Sequence, residues 1–78
     1  MAKDIKQKIK EIKAIIEVAT LALPKERDAQ RHYRNAARNA PGELSKRIFE
    51  ELAEEEANHE KKLKAMMTIL EDELERLK

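Results

Sequence analysis

Glu56-Ala57-Asn58-His59 sets a carboxylate and an imidazole three residues apart, a spacing that puts two side chains on one face of a helix. Both are ligands for first-row divalent metals. They stand in an apolar row, Phe49, Leu52, Glu56, His59, Leu63, Met66, Leu70, Leu74 and Leu77, whose members follow at steps of three and four, the pattern of a buried helix face. Burying an ionised carboxylate costs several kcal/mol unless a partner or a metal compensates it. The motif alone carries little weight, because thirteen of the 78 residues are Glu. Its position in the row, and what meets it, carry more.

The elements that must position these residues are helices. The chain holds one Gly, two Pro and no Cys, with 42% charged residues, a composition typical of long helices or helical bundles. The absence of cysteine excludes disulfide staples, thiolate metal sites and a four-cysteine iron centre within this sequence. No apolar stretch approaches the length needed to span a bilayer, and the Lys-rich start is followed by no signal-peptide core. These features predict a soluble cytoplasmic protein. Asn39-Ala40-Pro41-Gly42 is the only segment that combines Pro with Gly, and it reads as a tight turn. A single all-α domain follows over residues 1–78: a helix from about 3 to 39, a turn at about 39–42 and a helix from about 43 to 77, each arm roughly 50 Å long.

The first arm has its own row: Ile5, Ile9, Ile12, Ile16, Ala19, Leu23, Glu26, Gln30, Tyr33, Ala37 and Ala40. Glu26 is its only acidic member. Pro24 removes the amide that would bond to the Thr20 carbonyl, so the helix should be kinked or broken there; the unbroken phase of the row favours a kink. Folding about Pro41 brings Glu26 level with Glu55 or Glu56, Arg27 with Glu54, Arg31 with Glu50 and Arg38 with Glu43. Residues 1–42 carry ten basic and five acidic side chains, and residues 43–78 carry seven basic and eleven acidic ones. Exposed pairs of this kind add only a few tenths to about one kcal/mol each, but they favour an antiparallel pairing of the arms.

One hairpin thus offers Glu26, Glu56 and His59 at one level, with a side left uncovered. A second hairpin related by a two-fold axis completes a four-helix bundle with four carboxylates and two imidazoles at its centre. Bundle sites for paired iron or manganese take one Glu from each of two helices and a Glu-x-x-His from each of the other two. Four carboxylates also balance two divalent cations. The oxygen-rich donor set suits Fe, with Mn as an alternative, and leaves zinc occupation in vitro open. Tyr33, seven residues from Glu26 on the same row, is placed to hydrogen-bond a ligand carboxylate. Glu55 stands nearly inward and is the neighbouring candidate ligand.

Glu26-Arg-Asp-Ala29-Gln-Arg-His32-Tyr33-Arg-Asn-Ala36-Ala37 resembles the first ligand helix of rubrerythrin-like members of the ferritin-like superfamily, and Leu52-Ala-Glu-Glu-Glu56-Ala-Asn-His59 resembles the second. The resemblance covers about residues 22–70. It implies a di-iron centre in which Glu56 bridges the metals, Glu26 and His59 cap them and Tyr33 supports the ligands. It also implies activity of a ferroxidase or a related oxidoreductase that consumes O2 or peroxide with Fe(II), in iron handling or oxidative-stress defence. The chain supplies half of the four helices found in ordinary family domains, as in the encapsulated ferritins, whose sites assemble between subunits. A homodimer or higher homo-oligomer is therefore expected. An encapsulin-type shell is a conceivable partner, but Glu71–Lys78 continues an amphipathic helix and carries no visible docking tail. The rubredoxin-like electron-transfer part of rubrerythrins has no counterpart here.

Other readings of the same residues are weaker. His32 sits about 240° round the helix from Glu26 and is expected to be packed or partly exposed. The Arg27, Arg31, Arg34, Arg38 ridge lacks the interleaved aromatics of a nucleic-acid surface, and no nucleic-acid partner is expected. Lys3–Lys13 could lie on an anionic membrane, but its isoleucines continue the bundle row, and no membrane partner is expected. The alternative to a metal protein is a metal-free structural hairpin that oligomerises and uses its polar core residues to fix register.

Overall fold

The computed structural model describes residues 2–78 and contains two helices, α1 (Ala2–Arg38) and α2 (Glu43–Leu77). They pack antiparallel along their lengths into a rod of 61 × 15 × 13 Å. No strand occurs among the described residues. None of their helices is long and apolar enough to cross a membrane.

α1 runs unbroken through Pro24. The proline leaves the Thr20 carbonyl without its helical amide partner, and in the preceding turn the Thr20 hydroxyl donates to the Ile16 carbonyl at 2.8 Å. The turn follows from local hydrogen bonding. Asn39 donates to the Asn35 carbonyl through both its amide N–H, at 3.2 Å, and its side-chain Nδ2, at 2.9 Å, and the Ala40 N–H reaches the Ala37 carbonyl at 3.3 Å. Pro41 cannot continue a helix in this position. Gly42, in extended conformation, starts α2: its carbonyl accepts the Lys46 N–H at 3.0 Å. Glu43 follows in the first turn of α2, where a negative charge is favourable.

The seam between the helices is thin. Only Ile12, Ala19, Ala37 and Ala53 are buried among the described residues, and no large side chain is fully enclosed. Small residues let the helices approach but bury little apolar area. Outside the seam, Ile15, Val18, Leu21, Leu44, Ile48, Met66 and Ile69 are 47–71% exposed. Many of them share one side of the rod. On α1, Ile15, Val18, Ala22 and Ala29 follow at helical steps of three, four and seven; on α2, Ile48, Leu52, His59 and Met66 follow at four, seven and seven. Ala22 and Met66 meet in the same groove. The opposite side is polar, with a groove of about 380 Å³ lined by Arg34, Glu50, Glu54, Asn58 and Lys61.

The sequence row on α2 therefore needs correcting. His59 and Met66 lie at the edge of the seam and are exposed in the single hairpin, whereas Glu60 and Met67 turn inward. The apolar arc of α2 is wider than one helix–helix seam, so a row drawn through its centre averages two directions of contact. The expected heights of the arginine pairs also shift. Arg27 reaches Glu60 at 3.3 Å and not Glu54, Arg31 pairs with Asp28 of its own helix at 2.8 Å, and Arg38 bonds Asn35. Side chains on a helix lean toward its N-terminus, and in an antiparallel pair that lean carries an α1 side chain toward higher numbers on α2. Near the termini, Lys8 reaches Glu73 at 3.6 Å.

Candidate metal centre

About a third of the way along the rod from the turn, two turns from Ala19 on α1 and one turn from Ala53 on α2, Glu26, Glu56 and His59 converge. Each offers one ligand atom, and these atoms lie within 4.8 Å of one another. The i, i+3 spacing stacks Glu56 and His59 on one side of α2, and Glu26 faces them from α1. His59 Nδ1 is 3.6 Å from Glu26 Oε2 and 3.7 Å from Glu56 Oε2. These separations exceed a formed hydrogen bond. They are also shorter than the ~4.2 Å upper limit for two ligands that share one ion at ~2.1 Å each.

The carboxylates are mostly withdrawn from water, with side chains 23% and 22% exposed for Glu26 and Glu56, and His59 is 55% exposed toward the apolar side of the rod. Glu26 Oε2 is fully enclosed and has no hydrogen-bond partner. An enclosed acceptor without a donor is costly in a folded protein. The cost shows in its titration: the Glu26 carboxyl is held above its ordinary 4.5, first because its neutral form can share a hydrogen bond with Glu56, then through desolvation and the Glu56 charge, with His59 pulling the other way. A carboxylate pair facing an imidazole nitrogen lacks a cation or a proton. On the donor side of the balance, the residues fit a metal.

Below the three atoms, toward the exposed side, Ala22, Leu63 and Met66 wall a mostly apolar groove of about 320 Å³, with Lys62 at its edge. The site thus opens onto the face where apolar side chains are exposed.

Tyr33 is half-buried two turns along from Glu26, with its ring edge-on to that of His32 at 5.6 Å and 63°. It is not part of the three-residue set, and in the single hairpin no hydrogen bond joins it to a ligand carboxylate. His32 is exposed. Glu55 is exposed and borders a shallow acidic groove with Glu51, Glu54 and Asn58, away from the three ligand atoms.

One residue beside the site was not anticipated. Glu60 accepts hydrogen bonds from Gln30 Nε2 at 2.7 Å and Arg27 Nε at 3.3 Å, and pairs with Lys64 Nζ at 2.7 Å. Lys64, Gln30 and Arg27 together hold its carboxyl down to about 2. The sequence signal was Gln30, the polar residue one helical step after Glu26 in the same row.

Comparison with curated proteins gave no match, and neither did comparison with solved structures. The family model described as Rubrerythrin matches residues 17–78, a span that contains Glu26, Tyr33, Glu56 and His59. With most of its length matched and its two helices forming half of a four-helix bundle, this chain belongs to the rubrerythrin family.

Proposed function

We propose that this protein is a ferritin-like di-iron carboxylate protein whose centre is completed between two hairpins, and that it acts as a ferroxidase or a related oxidoreductase consuming O2 or peroxide. The observation that carries the reading is Glu26 Oε2, enclosed and without a donor, beside Glu56 and His59. A fold that wanted only register would have matched that oxygen with a donor, as it does for Glu60. Members of this family generally bind iron, and an oxygen-rich set with one imidazole per metal suits iron or manganese.

The apolar side of the rod supports a second copy as the cover. Ile15, Val18, Ile48 and Met66 flank the site and stay exposed in one hairpin, and a two-fold partner seated there would bring a second Glu26, Glu56 and His59 to the same level. Four carboxylates and two imidazoles then match the donor set of two-metal helical bundles.

Within such a centre each side chain has a separate task. By the family resemblance, Glu56 would be the bridging carboxylate. Glu26 and His59 would cap the ions, and because His59 presents Nδ1 to both carboxylates, that nitrogen would bind a metal only in its unprotonated form. Because the Glu26 carboxyl is held above its ordinary 4.5, protons compete with a cation for it, and affinity would rise with pH. Apolar side chains around the groove keep water from competing for the carboxylates. Iron held there would supply the electrons for reducing O2 or peroxide, being oxidised from Fe(II) to Fe(III). In a ferroxidase the Fe(II) would be substrate, held by Glu26, Glu56 and His59.

Iron analysis and oxygen uptake after anaerobic Fe(II) loading test the proposal. About one iron per chain and Fe(II)-dependent O2 or peroxide consumption are expected, given two metals per four-helix site. Less than about half an iron per chain with no consumption overturns it.

A further inference from the structure

Glu60 is the point at which the two helices are tied together beside the candidate centre. Gln30 Nε2 on α1 donates to Glu60 Oε1 at 2.7 Å, and Arg27 Nε on α1 donates to Glu60 Oε2 at 3.3 Å. The members bracket the ligands: Arg27 follows Glu26 directly, Gln30 lies one turn beyond it, Glu60 follows His59 directly and lies one turn beyond Glu56. The Glu60 side chain is only 16% exposed and its bond to Gln30 is part-buried, whereas the bond to Arg27 lies at the exposed edge.

Apolar packing at this height specifies register poorly. The buried residues nearest the site are Ala19, Ala37 and Ala53, whose methyl groups present a smooth surface with few large knobs to lock one axial offset. A slip of one turn moves a helix by about 5.4 Å, more than the 4.8 Å within which the three ligand atoms lie. Directional polar bonds in a part-buried seam are a means of excluding such slips. Two donors on α1 meeting one carboxylate on α2 supply that constraint within a turn of every ligand.

We infer that Gln30 and Glu60, with Arg27, form a positioning clamp that sets the axial register of α1 against α2 and so holds Glu26 opposite Glu56 and His59. The ligands are the residues of the proposed function, on which the metal-affinity part of this inference rests. The clamp residues do not bind the ion; they place the residues that do. Lys64, by contrast, pairs with Glu60 within α2 at 2.7 Å and crosses no seam, so it lies outside the clamp and serves as an internal control.

Two readouts on the full-length chain test the clamp. Co(II) titration, followed by its visible absorption, should show a dissociation constant raised about tenfold in Gln30→Met and in Glu60→Ala, the loss typical when residues that orient ligands are removed. Lys64→Ala should stay within about twofold. The exchange of Gln30→Glu with Glu60→Gln, in which the amide donates from α2 to a carboxylate on α1, should restore most of the affinity. In the metal-free protein, nuclear Overhauser contacts between the His59 ring and the Glu26 side chain should persist in wild type and Lys64→Ala and vanish in Gln30→Met. Gln30→Met preserves length and helix propensity, and keeps the test decisive if Glu60→Ala does not fold. Unchanged contacts in Gln30→Met, or Co(II) affinity unchanged alongside intact folding, overturns the clamp. A wild type that ignores Co(II) but loses its His59–Glu26 contacts in Gln30→Met overturns the metal reading while leaving the clamp standing.

Discussion

Glu26 and Glu60 are both carboxylates on the inner side of the same hairpin, about a turn apart in height, with opposite surroundings. Glu60 receives Gln30, Arg27 and Lys64, and its carboxyl is pulled down to about 2. Glu26 faces another carboxylate and an imidazole, encloses an oxygen with no donor, and is pushed above 4.5. The fold evidently can supply donors at this level, because it gives three to Glu60. Leaving Glu26 without one is therefore a local property of the Glu26–Glu56–His59 cluster and not of a donor-poor interior. One carboxylate is tied into the folded chain by three donors, and the other is left with an enclosed oxygen that no donor meets.

The largest effect that can break this contrast is metal stabilisation. With free Fe(II), Mn(II) or Zn(II) at about 100 times the dissociation constant, the wild-type melting transition should gain about 2.7 kcal/mol. Glu26→Ala and Glu56→Ala should lose that gain entirely, while Lys64→Ala keeps it. Calorimetry with and without metal reads the difference, and a gain that survives Glu56→Ala would remove the distinction.

Next in size is the metal-free protein at neutral pH. Glu26→Gln replaces an enclosed, donor-less oxygen with an amide that can donate to Glu56, and the apo hairpin should become more stable by about 1 kcal/mol, a rise of roughly 4–8 °C in a domain of this size. Glu60→Gln should lower the midpoint, since it removes the charge that holds Lys64 and Arg27. A fall in the midpoint of Glu26→Gln would mean that Glu26 is already compensated.

The pH dependence separates the two residues by sign. Glu26 has a folded pKa above its ordinary 4.5, so the stability it contributes is present below 4.5 and is lost as pH rises through the folded value. Glu60 runs the other way: its contribution is present above 4.5 and is lost as pH falls toward about 2. In apo melts across pH 2–7, Glu26→Gln should flatten the alkaline side and Glu60→Gln the acid side. The same slope in both variants would contradict the assignment.

The smallest effect expected is Lys64→Ala. An exposed i, i+4 pair contributes about 0.3–0.5 kcal/mol, so chemical denaturation should move only slightly, because Glu60 keeps its cross-helix donors. A loss above ~1 kcal/mol would place more of the hairpin's stability within α2 than its exposure allows.

Several features were legible in the sequence because they depend on local chemistry or on counting along one helix. Pro41 and Gly42 mark the turn because one cannot continue a helix and the other accepts an extended start. The three-and-four steps through Ile12, Ile16 and Ala19 mark the α1 side that meets α2. Glu26 is level with Glu56 and His59 because both arms have the same rise per residue, and the structure brings the three together. Glu60 was not legible: it stands one position from His59 in a run dense with charge, and only the donors that meet it distinguish it from Glu54 or Glu55. Height alone puts Arg27 beside Glu54, because it ignores the lean of side chains along antiparallel helices that carries Arg27 to Glu60.

The sequence by itself determined a two-helix hairpin with a break at Asn39–Gly42, the apolar arc of each helix and the height at which Glu26, Glu56 and His59 meet. Periodicity fixes where a side chain points around its own axis, and rise fixes how far along it stands. Only the tertiary structure decided how each arc is divided between the seam and the outer side, which put Glu60 and Met67 inward and left His59 and Met66 at the edge. That division depends on the rotation of one helix against the other, a quantity set by how Ala19, Ala37, Ala53 and their neighbours pack and by which donors reach Glu60.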